Sequence, residues 1–179
     1  MADSRDGEDE PAYVSRWKDA TTGFDRVRSV SSSLSEPRTA GWIADEAHVS
    51  EPTTRNHLER LVDLGVLVTD ESARGKTYYP DPVYTRLTAI QELVAENSEV
   101  DLTQQATAIH ADIESWKAAY DVESPRSLRA SVTDDISVED AQQRLHIAAD
   151  WESAQYQLSL LRDAIEHYET YTARPPASA

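Results

Sequence analysis

Residues 43–58 read Ile-Ala-Asp-Glu-Ala-His-Val-Ser-Glu-Pro-Thr-Thr-Arg-Asn-His-Leu, and this stretch decides the fold. Ile43 and Leu58 each lie in a run of apolar residues at helical spacing. Between the two runs, Ser50 can act as the N-cap of the second helix, because its hydroxyl can accept a hydrogen bond from the first turn. The stretch therefore predicts two helices joined by a tight turn.

The flanking sequence supplies the elements that complete such a domain. Residues 22–34 repeat apolar residues at helical spacing until a proline follows, and Thr39 can cap the next helix. On the other side, residues 66–69 and 76–79 are β-prone runs around a polar turn, which predicts a hairpin. The order helix, helix, turn, helix, hairpin resembles a winged helix–turn–helix, and the match covers about residues 22–80. That family usually has glycine in the turn where this chain has His48, so the resemblance implies a positive φ at His48.

The second half of the chain is predicted to be helical. Apolar positions predict helices over about 83–95, 102–120 and 137–171, with a connector at 121–136. In the two longer helices the apolar residues recur in the heptad pattern of packed helices. We expect a helical hairpin, or half of a two-chain bundle.

These patterns predict a mainly α fold with three regions. Residues 1–15 form an acidic tail that we expect to be disordered. Residues 16–88 form a winged helix–turn–helix domain with a short β-hairpin wing. Residues 89–179 form a helical hairpin, similar to a coiled coil, for dimerisation or regulation.

Charge is distributed unevenly along the 179 residues, whose net charge is −16. Residues 1–15 carry five acids and one base, residues 16–88 carry eleven acids and ten bases, and residues 89–179 carry seventeen acids and six bases. The nearly neutral middle stretch is therefore the place to look for a surface that faces phosphates. The absence of cysteine excludes disulfides, thiolate catalysis and Cys-based metal sites.

Several function classes find no support in the sequence. No apolar run approaches the ~18 residues of a membrane span, and the acidic N-terminus is unlike a signal peptide, so we expect a soluble cytoplasmic protein without a membrane partner. A Gly-rich phosphate loop, a nucleophile elbow and a His-Glu-x-x-His motif are all missing, so we expect neither an enzyme nor a cofactor. The pairs His110/Glu114 and His146/Asp150 are more simply surface ion pairs than metal ligands, and no metal site is predicted.

The candidate functional residues lie on the second helix of the turn motif and on the hairpin. In a winged helix–turn–helix this helix enters the major groove, and its N-terminal half reaches base edges. On the helix predicted at 50–64, Arg55 can bond guanine and Asn56 adenine, while Ser50 and Thr53 suit a phosphate. The wing at 74–76 would reach the adjacent backbone or minor groove. The full predicted DNA-binding set is Arg38, Ser50, Thr53, Arg55, Asn56, Arg74 and Lys76.

The whole chain resembles a group of haloarchaeal winged helix–turn–helix regulators, which are ArsR-like and mostly uncharacterised. The similarity lies in residues 17–18, 24–28, 42–47, 57–62, 78–82 and 151–154. Three lysines against fourteen arginines, together with many carboxylates, also resemble proteins from a salt-saturated cytoplasm. The resemblance implies a transcription regulator that binds double-stranded DNA, and it supplies no ligand or target gene.

Two further questions stay open at this point. We expect a homodimer through the C-terminal helices, because a dimer would place two recognition helices one DNA turn apart; a monomer in which these helices fold back is the alternative. The expected function is sequence-specific repression, and the alternative is a protein-interaction module whose acidic helices bind a basic partner. Glu51 opposes DNA contact, unless its carboxylate reads a cytosine amino group. Aromatic residues of the helical half can line an effector pocket, although at heptad spacing they are more simply core.

Overall fold

The computed structural model describes residues 12–72, 75–133 and 135–173. In chain order the elements are α1 (Ala12–Ala20), α2 (Gly23–Ser32), β1 (Arg38–Thr39), α3 (Ala40–Ala47), α4 (Glu51–Asp63), β2 (Leu67–Ser72), β3 (Gly75–Pro80), α5 (Pro82–Glu96), α6 (Glu99–Tyr120), α7 (Pro125–Ala130), α8 (Val138–Glu166) and α9 (Tyr168–Thr172). The chain divides into two compact units between Thr85 and Arg86, inside α5. The described residues include no helix that is both long and apolar enough to cross a membrane.

Helices α2, α3 and α4 of the first unit pack around one apolar core, as the winged-helix pattern predicts. Helix α2 begins with a capping box, in which Thr22 and Asp25 bond each other's backbone N–H groups. The predicted start of each of the three helices agrees with the structure to within a residue. The buried core consists of Val27, Ala40, Ile43, Ala47, Leu58, Leu61, Val66, Leu67 and Tyr78.

The turn between α3 and α4 depends on His48, which has φ 51° and ψ 48°. Its backbone N–H donates to the carbonyls of Ala44 and Asp45, and the Val49 N–H donates to the Ala44 carbonyl at 3.1 Å. A left-handed conformation is uncommon for residues other than glycine, but histidine is among the more tolerant. The positive φ expected at His48 is confirmed, and the turn leads from α3 into α4 within three residues.

Strands β2 and β3 form the predicted hairpin, with Leu67 opposite Pro80. Strand β1 was not predicted. It pairs antiparallel with β3, so that Arg38 lies opposite Tyr78. The strands in the described residues therefore form one sheet in the order β1-β3-β2. A strand of two residues is too short for any hydrophobic period, so no pattern could have predicted it.

The predicted disordered tail at 1–15 is wrong at its C-terminal end, because residues 12–15 begin α1. The side chain of Val14 is 4% exposed. The ring of Trp17 meets the ring of His48 edge-on, with 6.3 Å between centroids. Burial of the Val14 side chain stabilises the folded form of this segment. The rest of the predicted tail, residues 1–11, lies outside the described residues.

The second unit contains an antiparallel helical hairpin made by α6 and α8. Leu102 near the start of α6 shares a buried cluster with Leu161 near the end of α8. Ile113, further along α6, shares another with Trp151. The C-terminal part of α5 joins the first cluster through Ile90. The hairpin expected from the heptad pattern is therefore present, and each long helix has one buried face.

Two predictions for the second unit need correction. The connector at 121–136 contains the short helix α7, whose Leu128 is fully buried beside Trp151. The long helix predicted at 137–171 ends at Glu166, and α9 begins after His167. The break is fixed by Tyr168, whose hydroxyl donates to the Asn97 carbonyl at 3.1 Å. A contact over such a sequence distance leaves no local signal.

Candidate nucleic-acid interface

The N-terminal half of α4 presents a polar face to solvent. Glu51, Thr53, Arg55 and Asn56 are exposed, while Thr54 is fully buried in the first unit. This division follows from the helical period, because residues three or four positions apart share a face. Of the predicted site residues on α4, the structure thus brings Thr53, Arg55 and Asn56 onto the accessible side.

Arg55 is held by Glu51, one helical turn before it. One Nη of Arg55 donates to the Glu51 carboxylate, and the side chains of Arg55 and Glu51 are 54% and 48% exposed. The same carboxylate lies over the backbone of α3 at Gly41, where an added Cβ would be 3.8 Å away from it. Arg55 therefore does not project freely, since its guanidinium has an oriented acceptor beside it.

Ser50 lies at the N-cap of α4, but it does not cap the helix in the predicted way. Its backbone is extended, with φ −60° and ψ 142°, and no side-chain capping hydrogen bond is formed. Instead, the Ser50 hydroxyl donates to the Thr53 hydroxyl at 2.9 Å. The two exposed hydroxyls therefore lie together at the positive end of the α4 dipole, an arrangement suited to an anion.

The remaining described candidates, Arg38 and Lys76, lie on neighbouring strands. Arg38 forms an ion pair with Glu36, and its guanidinium carbon lies 4.7 Å from the centre of the Trp42 ring. Lys76 lies on β3, with its Nζ 5.4 Å from the centre of the Tyr78 ring. Because Tyr78 is opposite Arg38, Arg38 and Lys76 belong to the same face of the sheet. Arg74, the other predicted wing residue, lies outside the described residues.

Sequence reasoning missed two residues that shape this surface. Trp42 is 37% exposed and supports Arg38 through a cation–π contact. Arg38 lies on β1 and Trp42 on α3, so no helical spacing in the sequence indicates the pair. Arg26 donates to the Ala47 carbonyl at 2.9 Å and so fixes the end of α3. That bond spans 21 residues, and no local pattern indicates it.

Of the two histidine pairs considered as metal ligands, one is an ion pair between its own members, and in the other Glu114 pairs with a lysine. His146 Nε2 lies 3.4 Å from an Asp150 carboxylate oxygen. Glu114 bonds Lys117 at 2.8 Å, and the Lys117 hydrogen bond lowers the pKa of Glu114 below its usual value. Among the described residues there is no group of three or more His, Asp or Glu side chains placed to hold a metal ion.

The aromatic residues considered for an effector pocket lie in different surroundings; they are Trp116, Tyr120, Trp151, Tyr156 and Tyr168. Trp151 is fully buried in the core beside Trp116, and Tyr156 is 51% exposed. A cleft of about 370 Å³ within the second unit has other lining residues, among them Leu93, Ile109 and Leu161.

Comparison with known proteins places the chain in a family. A family model described as "Family of unknown function (DUF7342)" matches residues 21–170, so the chain belongs to this family. No curated protein and no solved structure matches the chain. The match extends over α2 to α8 and the first part of α9, so it includes the α3–α4 motif and the helical hairpin.

Proposed function

We propose that this member of the DUF7342 family is a sequence-specific DNA-binding transcription regulator that represses by occupying a promoter. The observation that carries the proposal is the exposed N-terminal half of α4. There Arg55 and Asn56 are consecutive exposed residues on a helix that follows a tight turn. A helix in this position of a winged helix–turn–helix enters the major groove. The resemblance to haloarchaeal ArsR-like regulators agrees with this assignment.

Each group on the surface has a chemical counterpart on a DNA duplex. The Arg55 guanidinium can donate two parallel hydrogen bonds to guanine, and the Asn56 amide can both donate to and accept from adenine. The hydroxyls of Ser50 and Thr53 at the N-terminus of α4 suit a backbone phosphate. The DNA backbone on either side of α4 would be contacted by Arg38 and by the wing at 74–76, which includes Lys76.

We further propose that two copies of the chain form the DNA-binding unit. Within the second unit, Val100, Leu145 and Tyr156 are large apolar residues that remain 64%, 47% and 51% exposed. They lie on α6 and α8, outside the buried faces of the hairpin. Pairing of these helices between two chains would cover them, and would set two α4 helices for a partly palindromic operator.

A protein partner is the second candidate function. The observation that favours it is the excess of acids in residues 89–179, which carry seventeen acids and six bases. Such a surface can attract a basic protein. If the chain binds a protein and not DNA, substitutions on α4 would not change binding to DNA. One DNA-binding experiment therefore distinguishes the two functions.

The test is fluorescence anisotropy of the full chain on its own upstream DNA in molar KCl, with unrelated DNA as competitor. Arg55→Ala and Asn56→Ala should each weaken specific binding about 5- to 150-fold, the equivalent of about 1–3 kcal/mol per bidentate contact. Arg126→Ala removes the same charge from an exposed position on α7 and should leave specific binding unchanged. Absence of specific binding, or equal binding by all variants, would refute the proposal and favour a protein partner.

The oligomeric state needs a separate measurement. Sedimentation equilibrium in molar KCl should give twice the chain mass of 20.0 kDa. Leu145→Glu combined with Tyr156→Glu should give the mass of one chain, because two charges would enter the proposed interface. A single-chain mass for the unmodified protein at micromolar concentration would contradict the dimer.

A further inference from the structure

We infer that Glu51 and Arg55 act as one unit that selects a single G·C base pair in each half of the DNA site. This inference rests on the proposed function, and it goes further by naming the base pair and by giving Glu51 a role. The observation behind it is that the Arg55 guanidinium already donates to the Glu51 carboxylate in the free protein, on the exposed face of α4.

The geometry keeps the two side chains together in a fixed order. They are four residues apart, so they lie one above the other along α4. A Cβ added at Gly41 of α3 would lie 3.8 Å from the Glu51 carboxylate, so the ion pair lies beside α3. The guanidinium is therefore oriented before any DNA is bound.

The pair presents a hydrogen-bonding pattern that only one base pair matches. One N–H of Arg55 is used by Glu51, and the guanidinium keeps four further donors. Two of them can reach N7 and O6 of a guanine, and the free carboxylate oxygen of Glu51 can accept from N4 of the paired cytosine. The protein side then reads donor, donor, acceptor, and the major-groove edge of a G·C pair reads acceptor, acceptor, donor.

Other base pairs place like groups against each other. An A·T pair in the same orientation would set the adenine amino group against the guanidinium, and thymine O4 and its methyl group against the carboxylate. A C·G pair would reverse the order, so the cytosine amino group would face Arg55. Rejection by unpaired or like-charged groups is how an interface discriminates between partners.

This assignment explains why a carboxylate stands on a surface proposed to face phosphates. An isolated Glu51 would repel the DNA backbone, whereas the Glu51–Arg55 pair has no net charge. Such a pair contributes little to the counterion release that drives non-specific binding to DNA. Its contribution is discrimination between bases. Removal of Glu51 should therefore increase affinity for unrelated DNA while it reduces selectivity. If Glu51 had only a structural role, its removal would not both increase affinity for unrelated DNA and reduce selectivity.

The experiment begins with selection of bound duplexes from a random pool by the full chain at fixed KCl concentration. The selected site is then measured with all four base pairs at each position, for the unmodified protein and for Glu51→Ala and Arg55→Ala. Glu46→Ala is the matched control, because Glu46 is an exposed acid on the neighbouring helix α3. A further duplex carries 7-deazaguanine, which lacks the N7 acceptor, at the position assigned to the pair.

We expect one G·C position per half-site at which the unmodified protein discriminates about 5- to 150-fold. Arg55→Ala should abolish discrimination at that position alone, and 7-deazaguanine there should weaken binding by the unmodified protein. Glu51→Ala should reduce discrimination at the same position and strengthen binding to unrelated DNA, while Glu46→Ala should leave the discrimination intact. If a site is selected but Glu51→Ala leaves every position unchanged, the inference is wrong and the proposed function stands. If no sequence is enriched, the proposed function itself fails.

Discussion

Replacement of Arg26 by alanine would test how the first unit holds its helix–turn–helix in place. Arg26 Nε donates to the Ala47 carbonyl at 2.9 Å, at the end of α3. One of its Nη atoms donates to the carbonyls of Thr21 at 2.9 Å and Lys18 at 3.3 Å, at the end of α1. The guanidinium carbon also lies 5.9 Å from the centre of the Trp17 ring. One cation therefore joins the C-terminal ends of two helices just before the turn.

The size of the effect follows from these three hydrogen bonds. A hydrogen bond made by a charged group contributes about 1.5–3 kcal/mol, and a cation near a helix C-terminus about 0.3–1 kcal/mol. Because Arg26 is only half-buried, water replaces part of what is lost. We therefore expect Arg26→Ala to lower the free energy of unfolding by roughly 2–3 kcal/mol. Arg26→Lys keeps the charge without the planar fork of donors, and should lose about half as much.

The assay is urea unfolding followed by circular dichroism at constant KCl concentration. Arg28→Ala is the matched control, since Arg28 is an exposed arginine on the same helix. Hydrogen exchange adds a local readout: in Arg26→Ala the amides of α1 should exchange faster, while those of α6 and α8 in the second unit keep their rates. A loss below about 0.5 kcal/mol, the scatter of ordinary surface substitutions, would refute the reasoning, as would unchanged exchange in α1.

Three further predictions concern the core, a helix cap and the wing. Leu58→Ala should cost about 2–5 kcal/mol in urea unfolding because Leu58 is fully buried, whereas Leu64→Ala, at a side chain 67% exposed, should cost about 0.5 kcal/mol or less; equal losses would contradict the packing. Hydrogen bonds from Ser98 lower the pKa of Asp101 below its ordinary 3.8, so the stability they provide is present above pH 3.8 and is lost as the pH falls through the lower folded-state pKa. Asp101→Asn should therefore make the melting temperature less sensitive to acid in that range, and an unaltered pH profile would count against the hydrogen bonds between Ser98 and Asp101 at the start of α6. Lys76→Ala should make the slope of log affinity against log salt concentration shallower by about 1 if Lys76 contacts a phosphate, and an unchanged slope would exclude that contact.

The parts of the fold that were predictable from sequence are those encoded by near neighbours. The apolar periods of α2, α3 and α4 and the turn at His48 each depend on residues a few positions apart. The exposure of Arg55 and Asn56 follows from the same period, because Leu58 fixes which side of α4 is buried. The candidate surface on α4 could therefore be predicted without coordinates.

The parts that were missed depend on partners distant in sequence. Strand β1 exists because β3 lies beside it, and Arg38 is 40 positions from its partner Tyr78. Helix α1 is anchored by Arg26, whose other acceptor belongs to α3. The Glu51–Arg55 pair is an intermediate case. Its four-residue spacing within α4 can be read from the sequence, whereas the position of the Glu51 carboxylate beside α3 is seen only in the structure.

If the proposed function is correct, the ion pairs of the candidate surface explain how an acidic chain can bind DNA. Arg38 is paired with Glu36 and Arg55 with Glu51, so both arginines bring donors without much net charge. Long-range attraction by such a surface is weak, and in molar salt it would extend only ~3 Å. Hydrogen bonds at contact distance are screened far less. If the proposed function is correct, affinity therefore comes more from the pattern of donors and acceptors than from counterion release. Discrimination between sequences should then persist in molar salt while binding to unrelated DNA is lost, and a steep loss of both together would contradict this account.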